Sequence, residues 1–379
     1  MPNRSPAWPA PAEIGMPVAD VDTPALIVEL DALDANLARL ATYARERNIR
    51  LRPHAKMHKC PTLALRQIAL GAVGVCCQKV SEAQAMVEGG VADVLISNQV
   101  VGAQKLMRLA QLARRARIGV CVDNADNARA LSQAAMAEDA TIDVYIEIDV
   151  GARRCGVEPG ADALILAQAV AALPGLRLMG LQAYHGSAQH LRTPAERADA
   201  IAQATAKAVA SRDLIAAAGL PCAIITGAGT GTYELESTGG VYNELQAGSY
   251  AFMDADYGRN TEPRPFAHSL FILATVMSAA PDRAVLDVGL KAHSIDSGMP
   301  LVHADAGGVP LIGLEYRKAS DEHGVIFPVD GAPLPALGAK LRLIPGHIDP
   351  TVNLHDWLVG VRAGRVAELW PISARGAMW

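Results

Sequence analysis

Between residues 50 and 250, short apolar runs alternate with longer segments of helical period. The runs occupy residues 49–53, 73–77, 94–97, 118–122, 144–149, 178–184, 222–226 and 244–248. Apolar character without alternation marks strands buried on both faces. The segments between them, such as 101–115, 124–137, 161–172 and 194–219, repeat apolar residues near every 3.6 positions and read as helices. Helix 194–219 opens with Thr193-Pro194-Ala195-Glu196, a capping-box spacing with proline at the first helical position, and Gly219 is placed to end it. Strands buried on both faces and joined by helices pair in parallel, and eight such units imply a closed (β/α)8 barrel. An open doubly wound sheet is the rival. The count of eight, with polar residues ending nearly every run, favours the barrel.

After about residue 265 the pattern changes. Helical period fades and β runs take over at 270–277, 284–288, 311–316, 324–329, 340–344 and 357–361, with Ala363-Gly364 as a hairpin turn before 366–369. Near the start, residues 23–30 read as an apolar strand and 31–45 as an amphipathic helix; in such a layout the first strand can cross over to the C-terminal strands. The expected organisation is an N-terminal extension (1–20), a barrel (21–262) and a C-terminal all-β domain (263–379). Glu262-Pro263-Arg264-Pro265 marks the boundary.

Composition narrows the function classes. Of 379 residues, 51% are hydrophobic and 19% charged, a globular balance. A net charge of −5 offers no cationic field for nucleic acid. The six cysteines form no C-x-x-C pair, and most sit in apolar runs, which suits buried thiols in a reducing cytoplasm. The proline-rich start has no apolar core of a signal peptide. The longest uncharged stretch, 214–233, carries four glycines and a proline and is no membrane span.

A barrel places its chemistry at the C-terminal ends of its strands. The first such end is Arg52-Pro53-His54-Ala55-Lys56-Met57-His58-Lys59, and the second and third are Gln78-Lys79 and Ser97-Asn98. Later ends carry Glu147, Asp149, Arg153 and Arg154, then Tyr184-His185-Gly186-Ser187 with His190 beyond. The last two run into glycine- and hydroxyl-rich turns, 226–232 and 248–250. Such turns cradle a phosphate with converging backbone N–H groups, or are simply tight turns; on their own the two readings are equal. A lysine facing a phosphate cradle is what a carbonyl-bearing cofactor needs. Arg52, His54, His58 and Lys59 would depress the pKa of Lys56. A single lysine is ordinarily a surface residue, but the dense cationic cluster after an apolar strand shifts the odds. In Gly346-His347-Ile348-Asp349-Pro350, an extended backbone would put His347 and Asp349 on one side. Imidazole plus carboxylate, completed by water, suits Mn²⁺ or Mg²⁺. A turn aspartate and an internally bonded histidine explain the spacing more simply.

Together the motifs resemble a known group. RPHAKMHKCP (52–61), CCQKVSEA (76–83), DVGARRCGV (149–157), LQAYHGSAQH (181–190), TGAGTGTYELE (226–236), ELQAGSYAFMDADYG (244–258), DEHGV (321–325) and PGHIDPTVNLHDW (345–357) follow in order. They are similar to the D-threonine aldolase and 3-hydroxy-D-aspartate aldolase group of the D-serine dehydratase-like, fold-type III pyridoxal phosphate enzymes, with an alanine-racemase-like barrel. The resemblance implies that Lys56 is the Schiff-base lysine, Tyr184 approaches the pyridine nitrogen, Arg154 the phenolic oxygen, and Gln78 the ring. Thr230, Gly231, Gly248, Ser249 and Tyr250 would hold the phosphate, His347 and Asp349 a divalent metal, and His190 would be the base at the substrate hydroxyl. The implied reaction is retro-aldol cleavage of a D-3-hydroxy amino acid to glycine and an aldehyde or glyoxylate. The alternative is dehydration with release of ammonia, but dehydratase members carry cysteine where this chain has Asp349. Ala228 stands where the group has glycine, and the group implies a homodimer. A β-carboxylate on the substrate would want a cation, with Arg259 or His293 as candidates, although Arg259 reads equally as a solvated residue.

Overall fold

A computed structural model describes residues 8–262 and 265–379. Pro263 and Arg264 of the expected boundary, and residues 1–7 of the expected extension, lie outside the described residues. Strand β1 (Ala25–Glu29) leads into helix α1 (Leu30–Glu46). Eight parallel strands follow: β2 (Arg50–Leu51), β3 (Val75–Cys77), β4 (Asp93–Gln99), β5 (Arg117–Val122), β6 (Ile142–Glu147), β7 (Leu176–Gln182), β8 (Ile224–Gly227) and β9 (Glu244–Leu245). Between them run α2 (Pro61–Ala69), α3 (Val80–Glu88), α4 (Ala103–Ala113), α5 (Ala125–Ala137), α6 (Ala161–Ala171), α7 (Pro194–Ala217) and α8 (Tyr233–Thr238). The sheet order is β2-β9-β8-β7-β6-β5-β4-β3. Its two ends meet, because Val73 N–H donates to Leu51 O and Cys76 N–H to Pro53 O, both at 2.8 Å. The barrel is closed.

Local chemistry accounts for the element ends. Asn124 caps α5 by accepting from the N–H groups of Asp126 (2.8 Å) and Asn127 (3.0 Å). Thr193 and Glu196 form the reciprocal capping box of α7, and Gly219 follows its end at φ +73°. Strands β2 and β9 are shorter than the apolar runs that announce them. Pro53 has no N–H to continue the ladder, although Arg52 N–H still donates to Leu245 O at 2.9 Å.

The second sheet contains β10 (Leu270–Ala280), β11 (Arg283–Leu286), β12 (Leu301–Asp305), β13 (Leu314–Ala319), β14 (Gly324–Pro328), β15 (Lys340–Ile344), β16 (Trp357–Arg362) and β17 (Arg365–Pro371). A short helix, α9 (Ile348–Val352), interrupts it before β16. β1 lies in this sheet, antiparallel to β10 and parallel to β16. Ala363 (φ +51°) and Gly364 (φ +72°) make the tight turn between β16 and β17, as a primed hairpin turn requires. β12, α8 and α9 have no clear signal in the sequence; each is short and carries no long apolar repeat.

Charge is used structurally where the barrel closes. Arg52, wholly buried, donates through Nε to Glu244 Oε1 (3.0 Å) and through Nη1 to Asp93 Oδ1 (2.6 Å). Arg50 Nε takes the other oxygen of Glu244 at 2.9 Å. The network joins first, last and third strands of the barrel. Removing one member strands the others in low dielectric. Arg52→Met should therefore lower the unfolding free energy by about 3–5 kcal/mol, read from denaturant melts.

Candidate active site

Directly after β2 the chain makes one 3-10 turn, Ala55–Met57, which carries Lys56. His54 caps that turn through Nδ1, which accepts from Lys56 N–H at 3.4 Å. Its Nε2 stands 3.1 Å from Ser97 Oγ and 2.9 Å from the Gln78 amide nitrogen. Burial, then the nearby Lys56 charge, holds the His54 imidazole far below its usual range. Lys56 lines a cavity of about 240 Å³ at the C-terminal mouth of the barrel, shared with His54, Gln78, Arg154, Tyr184 and Ser249.

The Lys56 ammonium is paired with the carboxylate of Asp349, which reaches it from α9. Burial pulls the amine down, but Asp349 more than offsets this and leaves its pKa above the usual value. The expected depression by cationic neighbours is therefore corrected. Arg52 points to Glu244 and Asp93, and Lys59 Nζ is held by Glu82 Oε1 at 2.7 Å. His58, held down to about 4 by burial, carries no charge at neutral pH.

The two glycine-rich turns meet opposite the lysine. Tyr250 N–H donates to Thr230 Oγ1 at 3.0 Å, joining the turn after β8 to that after β9. Thr230, Gly248 and Ser249 line the cavity; Gly231 and Tyr250 do not. The Gly231 N–H is taken by Gln189 Oε1 at 2.9 Å, and the Tyr250 hydroxyl accepts from Gln67 at 3.1 Å. A Cβ on Gly248 would come within 2.9 Å of His54 O, so close backbone approach requires glycine there. Ala228 sits at φ +69°, a left-handed conformation that disfavours any side chain. Arg154 lies 5.8 Å from the Tyr184 ring centroid, so guanidinium and phenol flank the cavity together. An amine at one side, a hydroxyl-and-glycine cradle at the other, and a neutral imidazole between them fit a phosphorylated aromatic aldehyde.

His347 and Asp349 do not lie on an extended strand, as their spacing suggested. His347 is the N-cap of α9 and Asp349 belongs to its first turn, with Pro350 in the same turn. They converge all the same: His347 Nε2 is 3.8 Å from Asp349 Oδ2. Sequence reasoning missed Asp296, whose Oδ2 stands 2.7 Å from His347 Nδ1. It holds the ring from behind and leaves Nε2 facing Asp349, the arrangement in which an imidazole ligates a cation. Among the described residues no three or more His, Cys, Asp or Glu side chains are grouped so that together they could hold a metal ion. Two protein donors and water therefore fit better than a full protein cage.

His190 ends the 3-10 turn Ser187–His190, half-exposed and outside the cavity lining, its ring centroid 6.1 Å from that of Tyr257, which does line it. Its Nδ1 is 2.5 Å from Asp256 Oδ2. Arg259 is also committed to Asp256, and it donates to Ser297 O at 2.8 Å. His293 is corrected as a candidate for a substrate carboxylate: it is wholly buried against the Tyr316 hydroxyl at 3.0 Å, and burial lowers its pKa. Glu236, behind the cradle, escaped notice as well. Burial pushes its carboxyl up to about 8, and it accepts from Thr232 Oγ1 at 2.9 Å.

Residues 28–256 match the family described as alanine racemase, N-terminal domain, and residues 269–361 match the putative serine dehydratase domain. A D-threonine aldolase from Arthrobacter sp is 53% identical over 376 residues, 98% of each chain. The chain belongs to the D-threonine aldolase and 3-hydroxy-D-aspartate aldolase group. Within that group, a 3-hydroxy-D-aspartate aldolase from Paracoccus denitrificans (strain Pd 1222) is 46% identical over 97% of this chain and 95% of its own. The crystal structure of a D-threonine aldolase from Filomicrobium marinum superposes with a TM-score of 0.94 at 52% identity, covering 98% of this chain and all of that one. The fold is thus alanine-racemase-like: a parallel eight-stranded barrel sheet with a separate, mostly β sheet. In this aldolase-group chain, Ala228→Gly should relieve the left-handed strain. We expect a gain of roughly 0.5–1 kcal/mol in unfolding free energy, checked by denaturant melts with cofactor absorbance unchanged.

Proposed function

We propose that this protein is a carbon–carbon lyase that cleaves the Cα–Cβ bond of a D-3-hydroxy amino acid, giving glycine and an aldehyde or glyoxylate. The observation that carries the reading is the meeting of Lys56 with Asp349 at the barrel mouth. It sets an imidazole–carboxylate donor pair from one sheet against the amine and anion cradle of the other. Names of relatives support the same reaction class.

Pyridoxal phosphate, when bound, supplies a conjugated system that takes up the electron pair left at Cα. Lys56 is its point of attachment. Thr230, Gly248 and Ser249, which line the cavity, hold the phosphate, with Gly231 and Tyr250 bracing those turns from behind. Arg154, Tyr184 and Gln78 flank the ring position and orient it. His347 and Asp349 are the ligands for a divalent ion, Mn²⁺ or Mg²⁺ by the chemistry of the pair, which supplies positive charge for the substrate hydroxyl. His190 takes the hydroxyl proton as the carbon–carbon bond breaks, and a proton from solvent is added at Cα to complete glycine. The units 21–262 and 263–379 serve as the cofactor-binding and metal-binding parts, and two copies associate. Six free cysteines, four of them buried, support a cytoplasmic setting; among the described residues no helix is long and apolar enough to cross a membrane.

Supplied with pyridoxal phosphate and Mn²⁺, the protein should release glycine from D-threonine or D-3-hydroxyaspartate, and Lys56→Ala should abolish both turnover and the protein-linked absorbance. Ammonia in place of glycine would overturn the reading. Asp296→Ala should weaken Mn²⁺ binding about 10–100-fold in calorimetric titrations, because the ring of His347 loses its support.

A further inference from the structure

We propose that Asp256 is a positioning residue that sets the tautomer and direction of His190, an inference that rests on His190 as the base named above. The division of its two oxygens carries the assignment. Oδ2 is 2.5 Å from His190 Nδ1, whereas Oδ1 takes Arg192 Nη2 at 2.6 Å and a guanidinium nitrogen of Arg259. With both arginines on one oxygen, the carboxylate cannot rotate without breaking two charged contacts, and the other oxygen is reserved for the imidazole. Arg192 also donates to Asp256 O and to Asn260 Oδ1, each at 2.9 Å, so the segment is clamped at backbone and side chain together.

An ionised carboxylate only accepts hydrogen bonds. Although burial favours its neutral form, Arg192 and His190 hold the carboxyl of Asp256 below its usual range, so the group is anionic. The imidazole must then place its proton on Nδ1, and Nε2, on the far side of the ring, keeps its lone pair. That is the form that can take a proton from a substrate hydroxyl. The imidazolium formed afterwards remains beside the negative oxygen.

The same turn is anchored from the other side. Gln189, next to His190, accepts from Gly231 N–H at 2.9 Å and donates to Thr232 Oγ1 at 2.8 Å, while its carbonyl accepts from Asn260 Nδ2 at 3.2 Å. The turn bearing His190 is thus tied to the phosphate-side loop and to the Asp256 segment at once. A half-exposed histidine would otherwise sample several rotamers and both tautomers.

A double-variant cycle in the cofactor- and Mn²⁺-loaded enzyme tests this. His190→Ala should lower kcat on the order of 10²–10⁴-fold, and Asp256→Asn at least about tenfold, with KM changed little in the latter. Because Asp256 acts through His190, Asp256→Asn introduced into the His190→Ala protein should cost less than about twofold more. A full, additive loss in the double variant overturns the positioning role while leaving His190 as base. An unimpaired His190→Ala enzyme removes His190 itself, and the positioning role with it. Nitrogen-15 spectra of the unsubstituted protein give an independent reading, including where a variant fails to fold: a protonated Nδ1 and bare Nε2 on His190 support the proposal, and the opposite tautomer defeats it.

Discussion

An ammonium and a carboxylate meet where the barrel ends and the second sheet begins, and the site exists because they do. Lys56 belongs to the turn after the first barrel strand, and Asp349 to the first turn of α9, 293 residues later. Each is partly withdrawn from bulk water, and each offsets the other's cost of burial: the lysine is held above its usual pKa and the carboxyl below. Separately, burial would drive both toward their neutral forms. The pair also fixes distance. Whatever lies over the lysine is brought next to Asp349 and His347.

Around this contact the barrel provides rigidity and the loops provide chemistry. The closing strands are only two residues long, and a buried ion network holds them where ladder hydrogen bonds are few. Cationic residues that looked like a cluster around Lys56 are thereby divided. Arg52 and Lys59 serve the frame, His54 and His58 are uncharged, and of that cluster Lys56 alone presents a charge to the cavity. The turns after β8 and β9 are joined by the Tyr250 N–H to Thr230 bond and line the cavity. There Gly248 allows backbone contact with His54, and Ala228 accepts a strained conformation.

The β domain contributes more than a cover. It supplies both candidate metal ligands, and through Asp296 it orients one of them. His190 is supported from three directions, by Asp256, by the Gln189 bridge to the cradle, and by Asn260. Such support explains how an exposed turn can hold a side chain at a defined angle.

Much of this was legible in the residues. Eight doubly buried runs separated by helical segments specified a parallel barrel, because period and burial depend only on which positions are apolar. Caps at Asn124 and Thr193 and the turn at Ala363-Gly364 were local signals, and local hydrogen bonding decided them. The lysine, the glycine-rich turns and the His347/Asp349 pair were visible as residue types at strand ends. Which of them would touch was not visible. The partner of Lys56 lies on α9, a five-residue helix with no apolar period, and the loss of Arg52 to the barrel seam follows from contacts with Glu244 and Asp93 far away in the chain. Asp296 lies in none of the recognised segments, and Asp256, although within 244–258, had no role assigned to it, since an aspartate in a loop is ordinary until a histidine is folded against it. Charge pairing in a protein interior depends on distance and desolvation, and only the tertiary structure sets those.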